Sequence, residues 1–261
     1  MADAVKQGRW ARRLTWIALI LSVGGVVAAL IAALGSGNGA WHFRVGFTVL
    51  RYAFFAAIAG GVLAIVALVL SQRAKVPGLR TRNVFAAAIA LVFVIFLGRQ
   101  IYTARTVPAI HDVTTDLEEV PEFRALHVRE DNLENVPGQD EPELARLSPE
   151  DRWKALHREA YADVQPIRVS WTVPETIAKA QALADKRGWD IAYVDPARGR
   201  LEATDTTRFF RFKDDVVIRA RKDPEGKGAI VDMRSISRVG GSDVGVNARR
   251  IREFLKDLRQ S

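Results

Sequence analysis

The densest set of side chains capable of chemistry lies near the C-terminus, in Arg234-Ser235-Ile236-Ser237-Arg238, followed by Gly240-Gly241-Ser242-Asp243 and then Asn247 and Arg250. Glycines that lead into a helix expose backbone amides at the positive end of its dipole, and nearby guanidinium groups add charge and paired donors. That chemistry suits a phosphate or a carboxylate, so Arg234, Ser235, Ser237, Arg238, Ser242, Asn247 and Arg250 form an anion-binding candidate. A structural reading uses the same residues differently. Ser242 caps the helix, Asp243 complements its dipole, the glycines turn the chain, and the arginines pair with Asp232 and Asp243. Because glycine turns before capped helices are common, the structural reading is preferred.

Other candidates carry less. Asp214 and Asp215 are adjacent, so on a strand they would face opposite sides and could not act as a paired acid and base; a turn or bulge between strands is expected there. His111 with Asp112 and Asp116 has the residue types of a metal set but too few ligands, and a turn with aspartates capping backbone amides accounts for it. His157 is expected to pack on a helix face, and His42 to lie solvated in a loop. No nucleophile elbow, Walker loop, dinucleotide fingerprint or HExxH occurs. The chain has no cysteine, which excludes disulfides, thiolate metal sites and a cysteine nucleophile. No cofactor, metal or catalytic residue is assigned, and an enzyme is the less favoured reading.

The halves that position these residues differ in composition. Residues 1–102 contain 11 Lys and Arg against one acid, whereas the remainder holds 27 bases and 29 acids. The basic balance therefore belongs to the first half and does not point to a nucleic-acid partner. That half holds three apolar runs, at about 14–34, 52–70 and 84–102, each close to the length that crosses a hydrocarbon core of ~30 Å. Arg99 and Tyr102 then suit the bilayer interface as snorkelling and aromatic anchors. The N-terminus carries four bases, the first loop two and the second loop four, so the N-terminus and second loop are assigned to the cytoplasm. Three spans leave the C-terminal half outside. Small residues recur every four positions in Gly24, Ala28, Ala32, in Ala53, Ala57, Gly61 and in Ala56, Gly60, Ala64, which predicts close helix packing.

Beyond residue 102 the stretch 103–147 is acidic and proline-containing and is expected to run as an extended strap. Residues 148–261 read as a two-layer α+β domain, an antiparallel meander packed by amphipathic helices. Ser148-Pro149 opens a helix through Trp153 and Leu156. Thr172 and Glu175 form a capping-box pair ahead of a stripe of Ile177, Ala180, Leu183 and Ala184. Strands follow from Trp189 to Arg238, with 206–212 extended and Lys213-Asp214-Asp215 interrupting. A final helix after Ser242 carries Val244, Ala248, Ile251, Leu255 and Leu258 on one stripe.

Three stretches, HDVTTD at 111–116, TTRFFRFKDDVVIR at 206–219 and VDMRSISRVGGSDVGVNARRI at 231–251, resemble the bacterial family catalogued as domain of unknown function 1499. Its members often carry hydrophobic N-terminal spans. Tyr161-Ala162-Asp163 departs from the Tyr-Pro-Asp of the family, a change confined to a local turn. The resemblance implies no activity or cofactor; it implies that Lys213, Asp214, Asp215 and Asp243 lie, with the C-terminal cluster, in the pattern defining the domain. The expectation is an inner-membrane protein with a periplasmic domain that binds or interacts in the cell envelope, its partners being the bilayer and an anionic small molecule or an envelope protein. The alternatives are an enzyme acting on an envelope lipid or glycan and a structural subunit of a membrane complex.

Overall fold

The computed structural model describes residues 2–226 and 228–261. The chain divides into two compact units, Met1–Tyr102 with Arg208–Arg211, and Thr103–Thr207 with Phe212–Ser261. In the first unit the three apolar runs form α1 (Ala2–Gly37), α2 (Phe43–Arg73) and α3 (Leu79–Thr106), all long and apolar enough to cross a membrane. Each helix continues past its uncharged run into flanking basic residues. The shortest, at 28 residues, would be about 42 Å long and so reach beyond the hydrocarbon core.

α1 and α2 pack through small side chains. Ala11, Thr15, Ala18, Ser22, Gly25, Ala29 and Ala32 of α1, and Ala53, Ala57, Gly60, Ala64, Ala67 and Ser71 of α2, are buried at alternating steps of four and three. A strict step of four drifts off a helix face with 3.6 residues per turn, so the seam changes rows. The expected rows are corrected accordingly: Gly60 succeeds Ala57 in place of Gly61, and Gly25 is buried while Gly24 stands open. A methyl group at Gly25 would lie 3.1 Å from the Ala53 carbonyl oxygen, and one at Gly60 2.8 Å from the Ser22 nitrogen. Such close approach lets dispersion hold helices together where lipid removes any hydrophobic drive. α3 joins at Ala86, which meets Ala18 and Ala64. Its Phe85, Leu91, Val92 and Ile95 are exposed, an apolar surface suited to lipid.

The second unit is a six-stranded antiparallel sheet with three helices. Its strands are β1 (Asp112–Thr114), β2 (Ile167–Val169), β3 (Asp190–Asp195), β4 (Arg200–Thr206), β5 (Lys213–Lys222) and β6 (Ala229–Ser237); its helices are α4 (Pro149–Ala160), α5 (Val173–Lys186) and α6 (Val246–Gln260). The order is β1-β6-β5-β4-β3, and β2 also pairs with β6. β6 is thus central, pairing with β5 along its whole length and with β2 and β1 at its two ends on the other edge. The Thr172–Glu175 capping box starts α5 as expected. α5 and α6 cover one sheet face: Ile177, Ala180, Ile251, Phe254 and Leu258 join a single core with Leu201, Ala203, Val216, Ile218, Val231 and Met233. Trp189 stacks on Phe254 at 4.9 Å.

Three local expectations are corrected. Asp112–Thr114, read as strap, is strand β1, and Ile110, Val113 and Val136 belong to the domain core. Three residues are too few to display a period, but β6 offers a complete partner. Lys213-Asp214-Asp215 does not interrupt the meander but begins β5. The turn falls earlier, where the Thr207 amide donates to the Phe212 carbonyl and the Phe212 amide to Thr207 Oγ1, both at 2.8 Å. The last helix starts at Val246 behind Gly245, whose φ of 73° suits glycine, and not behind Ser242.

Candidate functional site

The alternation of β6 sorts the C-terminal cluster onto two faces of the sheet. Ser235 and Ser237 face α6. Ser235 Oγ donates to Asn247 Oδ1 at 2.7 Å, and Asn247 Nδ2 donates to Ser237 Oγ at 3.0 Å and to the His111 carbonyl at 2.9 Å. Arg250 donates through Nη2 to Asp214 at 2.6 Å, through Nε to Asp205 at 2.8 Å and through Nη1 to Ser235 at 3.0 Å. Asp243 accepts the amides of Gly245 and Asn247 at 2.8 and 2.6 Å and so caps α6. Burial nevertheless pushes its carboxyl above the usual value, and the nearby Asp214 carboxylate adds to the rise. The assembly is a buried polar plug that joins β1, β5, β6 and α6.

The other face carries charge at alternate positions on three neighbouring strands. Arg234 holds Asp112 bidentately, at 2.9 and 2.6 Å, and donates to the Pro121 carbonyl at 3.2 Å. Asn132 Nδ2 donates to the same carboxylate at 2.8 Å. Burial acts to raise the Asp112 carboxyl, but the Arg234 charge and the hydrogen bonds from Arg234 and Asn132 outweigh it and hold the group below the usual carboxylate range. α4 closes this corner: Trp153 Nε1 donates to the Asp112 carbonyl at 2.9 Å, and His157 Nε2 accepts the Thr114 amide at 3.1 Å. Burial lowers His157 to about 4, so at neutral pH it is an uncharged acceptor.

Further along this face Asp232 takes both Arg219 and Arg221, and Asp116 takes the same two arginines from the strap. Glu202 is fully buried, yet its carboxylate accepts the successive amides of Arg124, Ala125 and Leu126 at 2.7, 2.9 and 2.9 Å. Consecutive backbone N–H groups make an anion cradle, here filled by the domain's own side chain. The strap is therefore fastened over the charged face.

A cleft of about 570 Å³ opens between the strap, α4 and this face. Asp112, Arg219 and Arg234 lie at its floor, while Glu118, Glu119, Glu122 and Glu150 line its edge and are exposed. Lys154 from α4 pairs with Glu150 at 2.8 Å. No group of three residues with metal-ligating spacing is present among the described residues.

The anion candidate is thus split. Ser235, Ser237, Asn247 and Arg250 come together on the helix side. Arg234 lies on the opposite face, and Arg238 stands half-exposed, binding Asp215 through Nε and Nη2 at 2.8 Å. Ser242 accepts the Val244 amide at 3.2 Å, and Lys213 is exposed. The expected pairing of the arginines with Asp232 and Asp243 is corrected: Arg234 takes Asp112, Arg238 takes Asp215, Asp232 is held by β5, and Asp243 caps the backbone. Register is the reason, since Asp232 lies opposite Arg219 across β5 and β6. Asp214 and Asp215 do face opposite sides, one meeting Arg250 and the other Arg238. Glu202, Arg219 and the glutamate edge were not singled out from the sequence. The signal was present as charges at every second position, in Arg200 and Glu202, Arg219 and Arg221, and Asp232 and Arg234.

Fold and site together define a membrane protein of three apolar helices with an antiparallel α+β domain whose polar face is closed by a strap. A profile described as protein of unknown function (DUF1499) matches residues 112–258, from the first residue of β1 almost to the end of α6. The match covers more than half of the chain, which belongs to this family. No curated protein and no solved structure matches it.

Proposed function

We propose that the chain is an integral protein of the bacterial cytoplasmic membrane that presents its second unit in the periplasm and works there by binding a small polar ligand. The charges flanking the apolar runs support the sidedness: four bases ahead of the run 14–34 and four between 52–70 and 84–102, against two between 14–34 and 52–70. A C-terminal fusion after Ser261 tests it, alkaline phosphatase activity being expected and fluorescence of a cytoplasm-active reporter overturning it.

The observation that carries the binding role is the cleft beside Asp112 and Arg234. Its lining holds five carboxylates, Asp112, Glu118, Glu119, Glu122 and Glu150, against four cations, Lys154, Arg200, Arg219 and Arg234. Glu118, Glu119 and Glu150 are themselves paired, with Arg158, Arg221 and Lys154, so the balance at its mouth is weakly negative. That edge suits a ligand bearing ammonium or hydroxyl groups, such as an amino sugar or a polyamine. Glucosamine and spermidine are expected to raise the melting temperature of the full chain in detergent, and Glu119→Gln with Glu122→Gln to remove most of the rise. No rise with either compound, or a rise the double variant leaves intact, overturns the reading. A second reading, an anionic small molecule, is favoured by the half-exposed guanidinium of Arg238 beside Gly240-Gly241. It predicts an anion-dependent rise in melting temperature that Arg238→Ala abolishes.

A further inference from the structure

The β4–β5 hairpin ends in Arg208-Phe209-Phe210-Arg211, an apolar pair between two cations. The reciprocal bonds between Thr207 and Phe212 close its base. Arg211 occupies the left-handed region with φ of 52°, which makes the turn tight. Phe209 is 43% exposed, a large ring left open on a domain that otherwise buries its aromatic groups well. Both arginines are exposed, and neither has a carboxylate partner within 4 Å among the described residues. The Arg208 guanidinium stands 5.9 Å over the Phe209 ring. In the same hairpin Arg219 and Arg221 are ion-paired.

Two observations say what covers this tip. The four residues group with the membrane-spanning unit and not with the sheet that carries them. Inside that unit the Phe210 ring lies 4.9 Å from Phe47, five residues into α2. The tether is also short. Five residues separate the end of α3 at Thr106 from β1 at Asp112, a reach of roughly 20 Å fully extended. Three crossings bring the α1–α2 loop and the end of α3 to one face of the bilayer, the face on which Phe47 starts its helix.

We infer that the Arg208–Arg211 tip is a lipid-binding surface, with Arg208 and Arg211 on headgroup phosphates and Phe209 at the acyl boundary. Guanidinium groups bind phosphate oxygens in pairs, and an aromatic ring between them is the composition that interfacial segments use. The short tether keeps the local lipid concentration high, so two arginines and one ring suffice where a soluble protein would need more. The surface does not depend on the cleft having a ligand.

The absence of cysteine makes a direct test possible. The full chain carrying Phe209→Cys is labelled with an environment-sensitive nitrobenzoxadiazole and reconstituted into vesicles of phosphatidylcholine and phosphatidylglycerol. The same label at Arg198→Cys, in the exposed β3–β4 turn, serves as reference. The label at 209 is expected to emit at shorter wavelength and to be quenched by nitroxide lipids, and Arg208→Glu with Arg211→Glu to cut that quenching severalfold without moving the melting temperature. Emission and quenching at 209 equal to those at 198 overturn the inference. Quenching that survives the double substitution overturns the role of the arginines.

Discussion

The two faces of the sheet are closed by different means. Under α5 and α6 the contacts are mostly apolar, with Leu201, Val216, Ile218 and Met233 fully buried against Ile177, Ile251 and Phe254, and the buried plug of Ser235, Asn247, Arg250 and Asp214 is confined to one end. Under the strap the same strands present Glu202, Arg219, Asp232 and Arg234, and closure depends on ion pairs and on amides donated to Glu202. An apolar face is tolerant, because any side chain of suitable volume restores it. A charged face is not, because a missing partner leaves a buried charge unsatisfied. The strap therefore depends on a few specific partners, and the helices on many interchangeable contacts.

The sharpest way to expose that difference is to remove one partner from each face. Asp112→Ala leaves the Arg234 guanidinium buried without its carboxylate and is expected to cost about 3–5 kcal/mol in denaturant unfolding. Asp112→Leu combined with Arg234→Met should recover most of that loss, since two apolar groups require no counter-charge. Phe254→Ala should cost a similar 3–5 kcal/mol by leaving a cavity beside Trp189. No second-site deletion will restore it. If the Asp112/Arg234 double variant is no more stable than the single one, the faces do not differ in the way argued.

Next in size is Glu202→Gln. The amide retains one acceptor but points N–H groups at the amides of Arg124, Ala125 and Leu126, at an expected cost of about 1–3 kcal/mol. The effect should be local: trypsin cleavage at Arg124 should accelerate, while amide exchange in α6 stays slow. Equal acceleration of exchange in α6 would show that the strap and the apolar core open as one unit.

Acid should distinguish the faces as well. His157 is lowered from 6.5 to about 4 in the folded chain, so the unfolded chain binds the proton first and stability falls as pH drops through that window. Asp243 works in the opposite direction, because burial raises its carboxyl and the folded state therefore takes up that proton before the unfolded chain does as pH falls. The difference between wild type and His157→Gln isolates the histidine. Glutamine retains an acceptor for the Thr114 amide and does not titrate, so the variant should lose less stability between pH 6.5 and 4, by an amount on the order of 1–3 kcal/mol.

These contrasts follow what the sequence could and could not reveal. The three spans were legible because apolar runs of that length, with Arg99 near the end of the third as their one charge, have few other uses, and α5 because Thr172 and Glu175 mark its start in a local code. The apolar face was legible through period. β1 was not, since Asp112-Val113-Thr114 is short and its meaning lies in β6, 122 residues away at Arg234. The start of α6 was misplaced because Ser242 offers the better capping side chain, while the backbone turn at Gly245 decides the matter. Of the candidate site, the serines with Asn247 and Arg250 were read as neighbours and are neighbours. The glutamate edge of the cleft went unread because exposed acids on a strap look like solvated surface until a sheet is laid beneath them.

The smallest effect is expected where the strap meets α4 at the surface. Arg158 reaches Glu118 at 2.6 Å, but the side chains are 56% and 78% exposed. Water screens the pair, and ordering two long side chains offsets much of the attraction, so Arg158→Ala should cost less than about 1 kcal/mol and nothing measurable in molar salt. On the buried side the same strap rests on Arg234, which Asp112 of β1 holds in place and which donates to the Pro121 carbonyl, and there added salt should change little. Measuring both variants across a salt series places the fastening of the strap: a salt-sensitive loss at Arg158 comparable to that at Asp112 would move it from the buried face to the rim. A flat response at Asp112 beside a vanishing one at Arg158 keeps it where the backbone amides and the bidentate pair already converge.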